Sequence, residues 1–394
     1  MTGNPLCIGV DASRAVSERP TGTERYSRHL IGALIAQDRL VVQGRSRTLR
    51  WRLYFNRPPA SSSLFTDHPH VEHRVIPFPR LWTHLRLGWE VAHHPPDLLF
   101  VPAHVLPLWT RPPALVTVHD LGYRHFPEAH PPGQRWYLEW STRHNARRAA
   151  AILADSEATR ADLTRHYGTD PDRIVVAYPG LDPTLAPARD PQRIARTLAR
   201  YGIRRPYLLY LGTLQPRKNL VRLVEAFARL QSRLDPDDRG LSLVLAGRRG
   251  WLYDGLFRRV RTLGLEGRVL FPGYVDDADK AALLSGALAF VFPSLYEGFG
   301  FPVLEAQVCG TPVVCSDRSS LPEVAGDAAL LVDPMDVEAL AAALYRVVTE
   351  PGLRATLIER GRANVRRFSW ESCAQTVLEV MGRVLDEERR AKAT

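Results

Sequence analysis

Two carboxylates draw attention by their place after a short apolar run. Glu297 and Glu305 stand eight residues apart in Pro293-Ser-Leu-Tyr-Glu-Gly-Phe-Gly-Phe-Pro-Val-Leu-Glu305, directly after Ala289–Phe292. Pro302 suits the first turn of a helix. The stretch therefore reads as strand, glycine-containing loop and helix N-terminus, a natural place for a diphosphate. Two acceptors beside a bound anion make chemical sense if they take hydroxyl groups, such as those of a sugar. The plainer reading makes Glu297 a helix cap and Glu305 a solvated residue, and spacing alone leaves the two readings level. Arg217 and Lys218, in Leu211-Gly-Thr-Leu-Gln-Pro-Arg-Lys-Asn219, occupy a second strand-to-helix loop. Arginine offers a planar fork and lysine a point charge, and together they can neutralise a diphosphate. The alternative is a solvated turn. As loop charges, both are expected to be exposed and to add little to folding.

Two further clusters precede residue 125. Thr21-Gly-Thr-Glu-Arg-Tyr26 follows the apolar run Leu6–Val10, and Gly22 permits close backbone approach to a ligand. A turn glycine explains it equally well. His119, in Val118-His-Asp-Leu-Gly122, ends the run Leu115–Val118. In open parallel sheets ligands bind beyond the carboxyl ends of strands, which is where His119 falls. The other histidines, including His93, His94 and the His68/His70/His73 group, read as loop or surface residues. Their spacing suggests no metal site.

These residues need a frame. Short apolar runs alternate with helical stretches: Leu6–Val10, Arg52–Phe55, Asp97–Val101, Leu115–Val118, Ala151–Ala154 and Ile174–Tyr178 in the first half. The second half has Tyr207–Leu211, Leu241–Ala246, Val269–Phe271, Ala289–Phe292, Pro312–Cys315 and Leu330–Val332. Alternation of this kind implies α/β architecture with parallel sheets covered on both faces. Twelve strands exceed one compact sheet, so two doubly wound domains are expected. A chain of 394 residues has room for both. Gly180–Arg193, rich in Pro, Asp and Arg, reads as the linker, and the final helix near Trp370–Arg390 lacks a following strand and is free to pack back on the first domain. The boundaries expected are 1–184, 185–369 and a return helix with its tail at 370–394.

Composition excludes other classes. Hydrophobic residues at 45% and charged residues at 24% are ordinary for a globular protein. The net charge of +10 comes from 52 basic residues of which only three are lysine, which points to arginine bias rather than selected contacts. Four cysteines without CxxC spacing suggest a reducing compartment. With no long apolar run, a cytoplasmic protein is expected.

Together the clusters resemble the retaining glycosyltransferase family 4. The likeness rests on Glu297-x7-Glu305 within EGFGFPVLEA, on GTLQPRKN before it and SSLPEVAGDAALLVDP after it. It runs through most of Tyr207–Trp370 and more loosely through Gly22, Val118–Leu121 and Ala151–Gly180. The HDL stretch followed by Phe126-Pro-Glu128 looks most like bacterial mannosyltransferases of surface-polysaccharide assembly. The resemblance implies the GT-B fold, two facing Rossmann-like domains with a C-terminal helix returning to the first. It makes the N-terminal domain acceptor-binding and the C-terminal one nucleotide-sugar-binding. Arg217 and Lys218, helped by the Gly22 backbone, would hold the donor diphosphate. Glu297 and the backbone N–H groups of Phe299, Gly300 and Phe301 would bind the sugar. Glu305 would take the ribose, Gly273, Tyr274 and Val275 would border the base, and His119 would approach the sugar from the other domain. Catalysis would fall to Glu297, His119 and Lys218, with retention, with no metal and with no cofactor besides the nucleotide-sugar substrate. Mannose from GDP-mannose is favoured over a UDP-sugar; a glycan or lipid-linked acceptor is implied, and no nucleic acid.

The rivals are weaker. Gly298-Phe-Gly300-Phe-Pro-Val303 nearly fits a dinucleotide fingerprint, with Asp317 as its ribose acid, but Val303 replaces the third glycine. Of the Asp-x-Asp triplets a metal-dependent transferase would need, Asp170/Asp172 and Asp235/Asp237 read as turns and Asp277/Asp279 as a helix start. A nucleic-acid-binding module has only the charge behind it. Finally, Leu81, Trp82, Leu85 and Trp89 share one broad helical face near Arg80 and Arg86. A core-facing helix is the leading reading and peripheral membrane docking the sharper one.

Overall fold

The computed structural model describes residues 5–17, 22–37, 39–59, 65, 68–103, 105–235, 240–250 and 254–393. Thr21 and Asp237 lie outside the described residues. The chain forms two compact units. The first comprises the chain up to Arg124, residues 130–180 and Phe368–Thr394; the second comprises His125–Ala129 and Leu181–Arg367.

The first unit holds β1 (Leu6–Asp11), β2 (Arg39–Val42), β3 (Arg45–Phe55), β4 (Val71–Val75), β5 (Leu98–Val101), β6 (Ala114–Val118), β7 (Ala151–Ala154) and β8 (Ile174–Val176). They form one sheet in the order β2-β3-β1-β5-β6-β7-β8, with β4 also paired to β3. Strands β1, β5, β6 and β7 are buried along their whole length, as strands covered on both faces must be. Two features differ from expectation: one antiparallel pair, and one additional parallel strand. Strands β2 and β3 form an antiparallel hairpin, closed by Gln43 (φ 53°) and Gly44 (φ 70°), the two positive values a tight hairpin turn requires. Their arginines hid β2 and the first part of β3, of which only Arg52–Phe55 was expected. Strand β4, Val-Glu-His-Arg-Val, is polar and only half-buried, so His73 sits in a strand rather than a loop.

The C-terminal helix Trp370–Ala393 completes this unit. Its buried residues Trp370, Cys373, Ala374, Val377, Met381 and Val384 recur at helical spacing. They share a core with Leu30 and Leu34 of the helix Gly22–Ile35. Trp370 meets Tyr26 at 5.7 Å and stacks on His29 at 5.4 Å. Asp386 accepts a hydrogen bond from the Gln43 N–H at 2.8 Å.

The second unit holds β9 (Tyr207–Leu211), β10 (Ser242–Ala246), β11 (Val269–Gly273), β12 (Ala289–Phe292), β13 (Val313–Ser316) and β14 (Ala329–Val332). All are parallel, in the order β11-β10-β9-β12-β13-β14. The strand order reverses between β9 and β12, and in such sheets the crevice beyond the carboxyl ends at the reversal is where ligands bind. No helix among the described residues is long and apolar enough to cross a membrane.

Trp370→Ala should cost the first unit about 3–5 kcal/mol, the range for truncating a buried tryptophan. Urea unfolding checks this; an unchanged midpoint would show that the returning helix does not hold the unit together.

Candidate active site at the sheet reversal

The residues following β9 and β12 meet across the reversal. A short turn, Pro216–Lys218, follows β9, and Asn219 (φ 59°) caps the helix Leu220–Arg233. Lys218 Nζ donates a short hydrogen bond to Glu297 Oε1. Arg217 Nη1 donates to the Tyr296 carbonyl at 2.6 Å and lies 3.3 Å from Glu297 Oε2. The Leu295 N–H donates to the Arg217 carbonyl at 2.9 Å, closing the two loops on each other. Lys218 Nζ also lies 4.9 Å from the centre of the Phe292 ring. Neither loop is free to swing.

The Glu297 loop is fixed from its other side too. The Glu297 N–H donates to Ser319 Oγ at 2.9 Å, and the Ser320 hydroxyl sits 3.0 and 2.6 Å from the Glu297 and Phe299 carbonyls. Gly300 (φ 118°) opens the helix Phe301–Val308 in a conformation only glycine takes easily. A Cβ there would also lie 2.8 Å from Leu321. Glu297 is therefore not the helix cap of the plain reading; Gly300 is.

The expectation of exposed loop charges is wrong. The side chains of Lys218 and Glu297 are only 11% and 10% exposed. Burial works against ionising Glu297, yet the Lys218 and Arg217 charges and the hydrogen bonds from Lys218 and Ser294 outweigh it, so its carboxyl titrates below the ordinary range. The result is one carboxylate held by two cations, a net +1 in a largely buried cluster. Removing one member of such a cluster strands the rest in low dielectric.

The remaining residues of the second unit line up along the same carboxyl edge. Glu305 is not solvated but pairs with Lys280 Nζ at 2.8 Å, their side chains 14% and 16% exposed. Sequence reasoning passed over Lys280, although two of the three lysines pair with the two singled-out glutamates. Gly273 ends β11, and its carbonyl accepts from the Gly247 N–H at 2.7 Å. Tyr274 is half-exposed beneath the Arg248 guanidinium, 4.7 Å from the ring centre, whereas Val275 is buried. Gly247 (φ 142°) lets the loops after β9 and β10 touch, since a Cβ there would fall 1.9 Å from the Gly212 carbonyl oxygen.

In the first unit, His119 ends β6 and is buried, edge-on to Tyr26 at 4.7 Å. Its Nδ1 lies 2.7 Å from Asp155 Oδ2 and its Nε2 lies 3.0 Å from the Pro102 carbonyl. The Pro102 carbonyl can only accept and the ionised Asp155 carboxylate can only accept, so this setting favours the doubly protonated ring. Burial opposes that charge, but Asp155 overcomes it and raises the pKa of His119. What His119 can offer a ligand is its charged C–H edge rather than a basic nitrogen. Asp155, which makes this possible, carried no sequence signal. Gly22 opens its helix, and among the described residues beyond its own turn no atom lies within 4 Å of the place a Cβ would take, so their packing does not demand glycine there.

Other expectations change. The face Leu81–Trp89 does not point at the core: Leu81, Leu85 and Trp89 are exposed, and only Trp82 is buried, its indole N–H donating to the Ile76 carbonyl at 2.7 Å. Leu81 (φ 55°) breaks the regular helix before the π-helical turn Thr83–Leu87, which rotates Trp82 away from the others. Asp170 caps the turn Pro171–Arg173, and Asp277 begins the helix Asp277–Gly286. Val303 is fully buried where a dinucleotide fingerprint needs glycine.

A parallel sheet with charged loops at its reversal is the arrangement in which open α/β sheets take ligands, and here it is one of a pair of sheets. Residues 199–364 match the family described as glycosyl transferases group 1, and residues 20–185 match glycosyltransferase family 4. The O-antigen chain mannosyltransferase B of Escherichia coli is 38% identical over 67% of this chain and 69% of its own length. The D-inositol 3-phosphate glycosyltransferase of Rhodococcus jostii is 35% identical over 58% of this chain and 51% of its own. The E. coli mannosyltransferase WbdA is matched over only 30% of its length. Among solved structures, Anabaena HepE in complex with UDP and glucose superposes with a TM-score of 0.69 at 21% identity, covering 96% of this chain and 99% of that one. WaaG, a glycosyltransferase of lipopolysaccharide biosynthesis, does so with 0.65 at 18%, covering 95% and 99%. The chain belongs to the group 1 and family 4 glycosyltransferases, and its fold is GT-B.

Lys218→Ala should destabilise the protein by about 3–5 kcal/mol, because it leaves Glu297 short of its closest cation. The double variant Lys218→Met/Glu297→Gln should lose less than Lys218→Ala alone; chemical denaturation of both decides, and equal losses would contradict a buried charge cluster. For His119 the folded pKa is raised, so its stabilisation is complete below the ordinary histidine value of about 6.5 and fades as pH rises through the folded value. The stability gap between wild type and His119→Gln should therefore shrink with increasing pH. A gap that widened instead would rule out the imidazolium.

Proposed function

We propose that the enzyme transfers a hexose with retention and without a metal, from a nucleotide sugar to a glycan or lipid-linked acceptor at the inner face of a membrane. Mannose from GDP-mannose is the favoured donor. The observation that carries the reading is the buried Arg217–Glu297–Lys218 cluster at the reversal of the strand order. Support for mannose comes from the mannosyltransferase of E. coli at 38% identity and from an MMP α-(1→4)-mannosyltransferase at 33%.

In this reading the bond between the sugar's anomeric carbon and the diphosphate oxygen breaks, an acceptor hydroxyl oxygen ends bonded to that carbon, and its proton passes to the departing diphosphate, whose oxygen carries the negative charge that develops before then. Arg217 and Lys218 neutralise that charge, with the Gly22 backbone and the opening N–H groups of the helix Phe301–Val308 assisting. Glu297 is ionised and fixed in place. Its carboxylate accepts from sugar hydroxyls and supports positive charge developing on the ring, an interaction stronger in the transition state than in the ground state. Phe299, Gly300 and Phe301 add backbone N–H donors to the sugar. Glu305, held by Lys280, accepts from the ribose, and Gly273, Tyr274 and Val275 border the base, Tyr274 by its half-exposed ring. His119 contributes its charged edge to the sugar from the first unit. That unit receives the acceptor and the second binds the donor.

A panel of GDP-mannose, UDP-glucose, GDP, UDP and NAD separates the donor classes, since a ligand specific for the folded state raises the melting temperature. GDP-mannose should give the largest rise; a preference for UDP-glucose would move the donor to a UDP-sugar, and stabilisation by NAD alone would overturn the reading. Glu297→Gln should slow transfer about 10²–10³-fold with little effect on GDP affinity. Glu305→Ala should weaken GDP-mannose and GDP alike. Calorimetry and kinetics on both variants check the assignment, and a reversed pattern would exchange the two roles.

A further inference from the structure

The helices Pro132–Arg148 and Glu157–Tyr167 of the first unit both end at a cavity of about 390 Å³. Arg143, Arg147, His166, Tyr167, Thr169 and Arg173 line it, and no Asp or Glu among the described residues does. Arg173 immediately precedes β8 and donates a short hydrogen bond to the carbonyl of Ala149, two residues before β7. The cavity therefore lies at the amino ends of β7 and β8. Both strands run in the same direction as β6, whose carboxyl end carries His119. The cavity thus occupies the opposite edge of the sheet from His119, and no residue of the proposed transfer lines it.

Basic side chains alone would not mark a site in a chain with this excess of arginine, and cations in the last turn of a helix already serve to offset its dipole. Thr169 is different. It is 4% exposed, and its buried hydroxyl has no hydrogen-bond partner among the described residues. Buried hydroxyls are ordinarily paired, and leaving one unpaired is costly. The charges beside it are also only partly matched. Arg143 and Tyr167 both donate to Glu139, at 2.9 Å each. The Arg147 side chain has no ion pair or hydrogen bond among the described residues, and Arg173 meets a backbone carbonyl but no carboxylate. Two guanidiniums without a counter-charge outweigh the roughly half charge at each of the two helix ends. A phosphate monoester suits this setting. Its terminal oxygens can accept from both arginines and from Thr169 together, and near pH 7 it carries close to two negative charges where a carboxylate carries one. The volume falls in the range of small-molecule pockets, about 300–1,000 Å³, and leaves room for an organic group beyond the phosphate.

We propose that the cavity bounded by Arg147, Thr169 and Arg173 is a second ligand site, which takes the phosphate monoester of a small polar molecule. It goes beyond the transfer reaction and does not depend on which donor the enzyme uses.

Calorimetry on the full chain with inorganic phosphate, ribose 5-phosphate and ribose tests this, at low and high salt. The two phosphates should compete for one site and weaken as salt rises, and ribose should not bind. Arg147→Gln/Arg173→Gln should weaken ribose 5-phosphate about 100-fold, at about tenfold for each charge-assisted contact. Thr169→Val should weaken it about tenfold. The same substitution should leave the melting temperature of the ligand-free protein unchanged or raise it, because the hydroxyl it removes has no partner to lose. Saturating GDP should not displace the bound phosphate. Absence of ribose 5-phosphate binding by the wild type overturns the inference, as does equal binding by the variants. Displacement by GDP also overturns it, since the phosphate would then sit at Arg217 and Lys218. So does a melting temperature clearly lowered by Thr169→Val, which would show the hydroxyl to be paired within the fold.

Discussion

A carboxylate shared between two cations at the point where a parallel sheet reverses is the constraint around which the second unit is organised. An unpaired Glu297 could not remain ionised where it sits, and an unpaired Lys218 would be equally costly to keep buried. Each is acceptable because the other is there. That mutual need fixes the loop after β9 against the loop after β12, and it explains the further supports. Asn219 turns the chain sharply after Lys218, Ser319 and Ser320 hold the Glu297 backbone, and Gly300 allows the turn into the next helix without a clash. The charges are thus positioned before any ligand arrives, which is what electrostatic stabilisation of a leaving group requires.

The same logic, with a different outcome, governs His119. Its two ring nitrogens face Asp155 and the Pro102 carbonyl, which orient the ring and favour its charged form. A residue that the sequence places only by its position at a strand end is, in its setting, favoured in its charged form and unable to act as a free base. The two units therefore share a strategy: ionised groups at strand ends, each locked by an opposite charge or by backbone carbonyls, with little freedom left to reorganise.

Much of this was legible in the sequence because parallel strands covered on both faces are uninterrupted apolar runs. Tyr207–Leu211, Ala289–Phe292 and Ala151–Ala154 could be read to the residue. The hairpin of β2 and β3 could not, since Arg45, Arg47, Arg50 and Arg52 mask its alternation and Gln43-Gly44 is an uncommon turn pair. In the site, Glu297, Lys218 and Arg217 were visible as residue types in strand-to-helix loops. Their burial was not, because burial depends on which loops become neighbours across the sheet, and that follows from strand order rather than from local pattern. Lys280 and Asp155 were invisible for the same reason: each acts on a residue 25 or more positions away. The Leu81–Trp89 stretch shows the opposite failure. Its periodicity was real, but a left-handed residue and a π-helical turn redirected Trp82 inward and left the others facing out.

The central claim is that the buried Arg217–Glu297–Lys218 cluster is the seat of the donor diphosphate. A crystal structure of the enzyme with GDP tests it most directly. The account predicts the terminal phosphate within hydrogen-bonding distance of Lys218 Nζ and the Arg217 guanidinium, with Glu297 beside the empty sugar position and the ribose on Glu305. Density for the diphosphate elsewhere, with Lys218 and Glu297 still closed on each other and out of its reach, would contradict it.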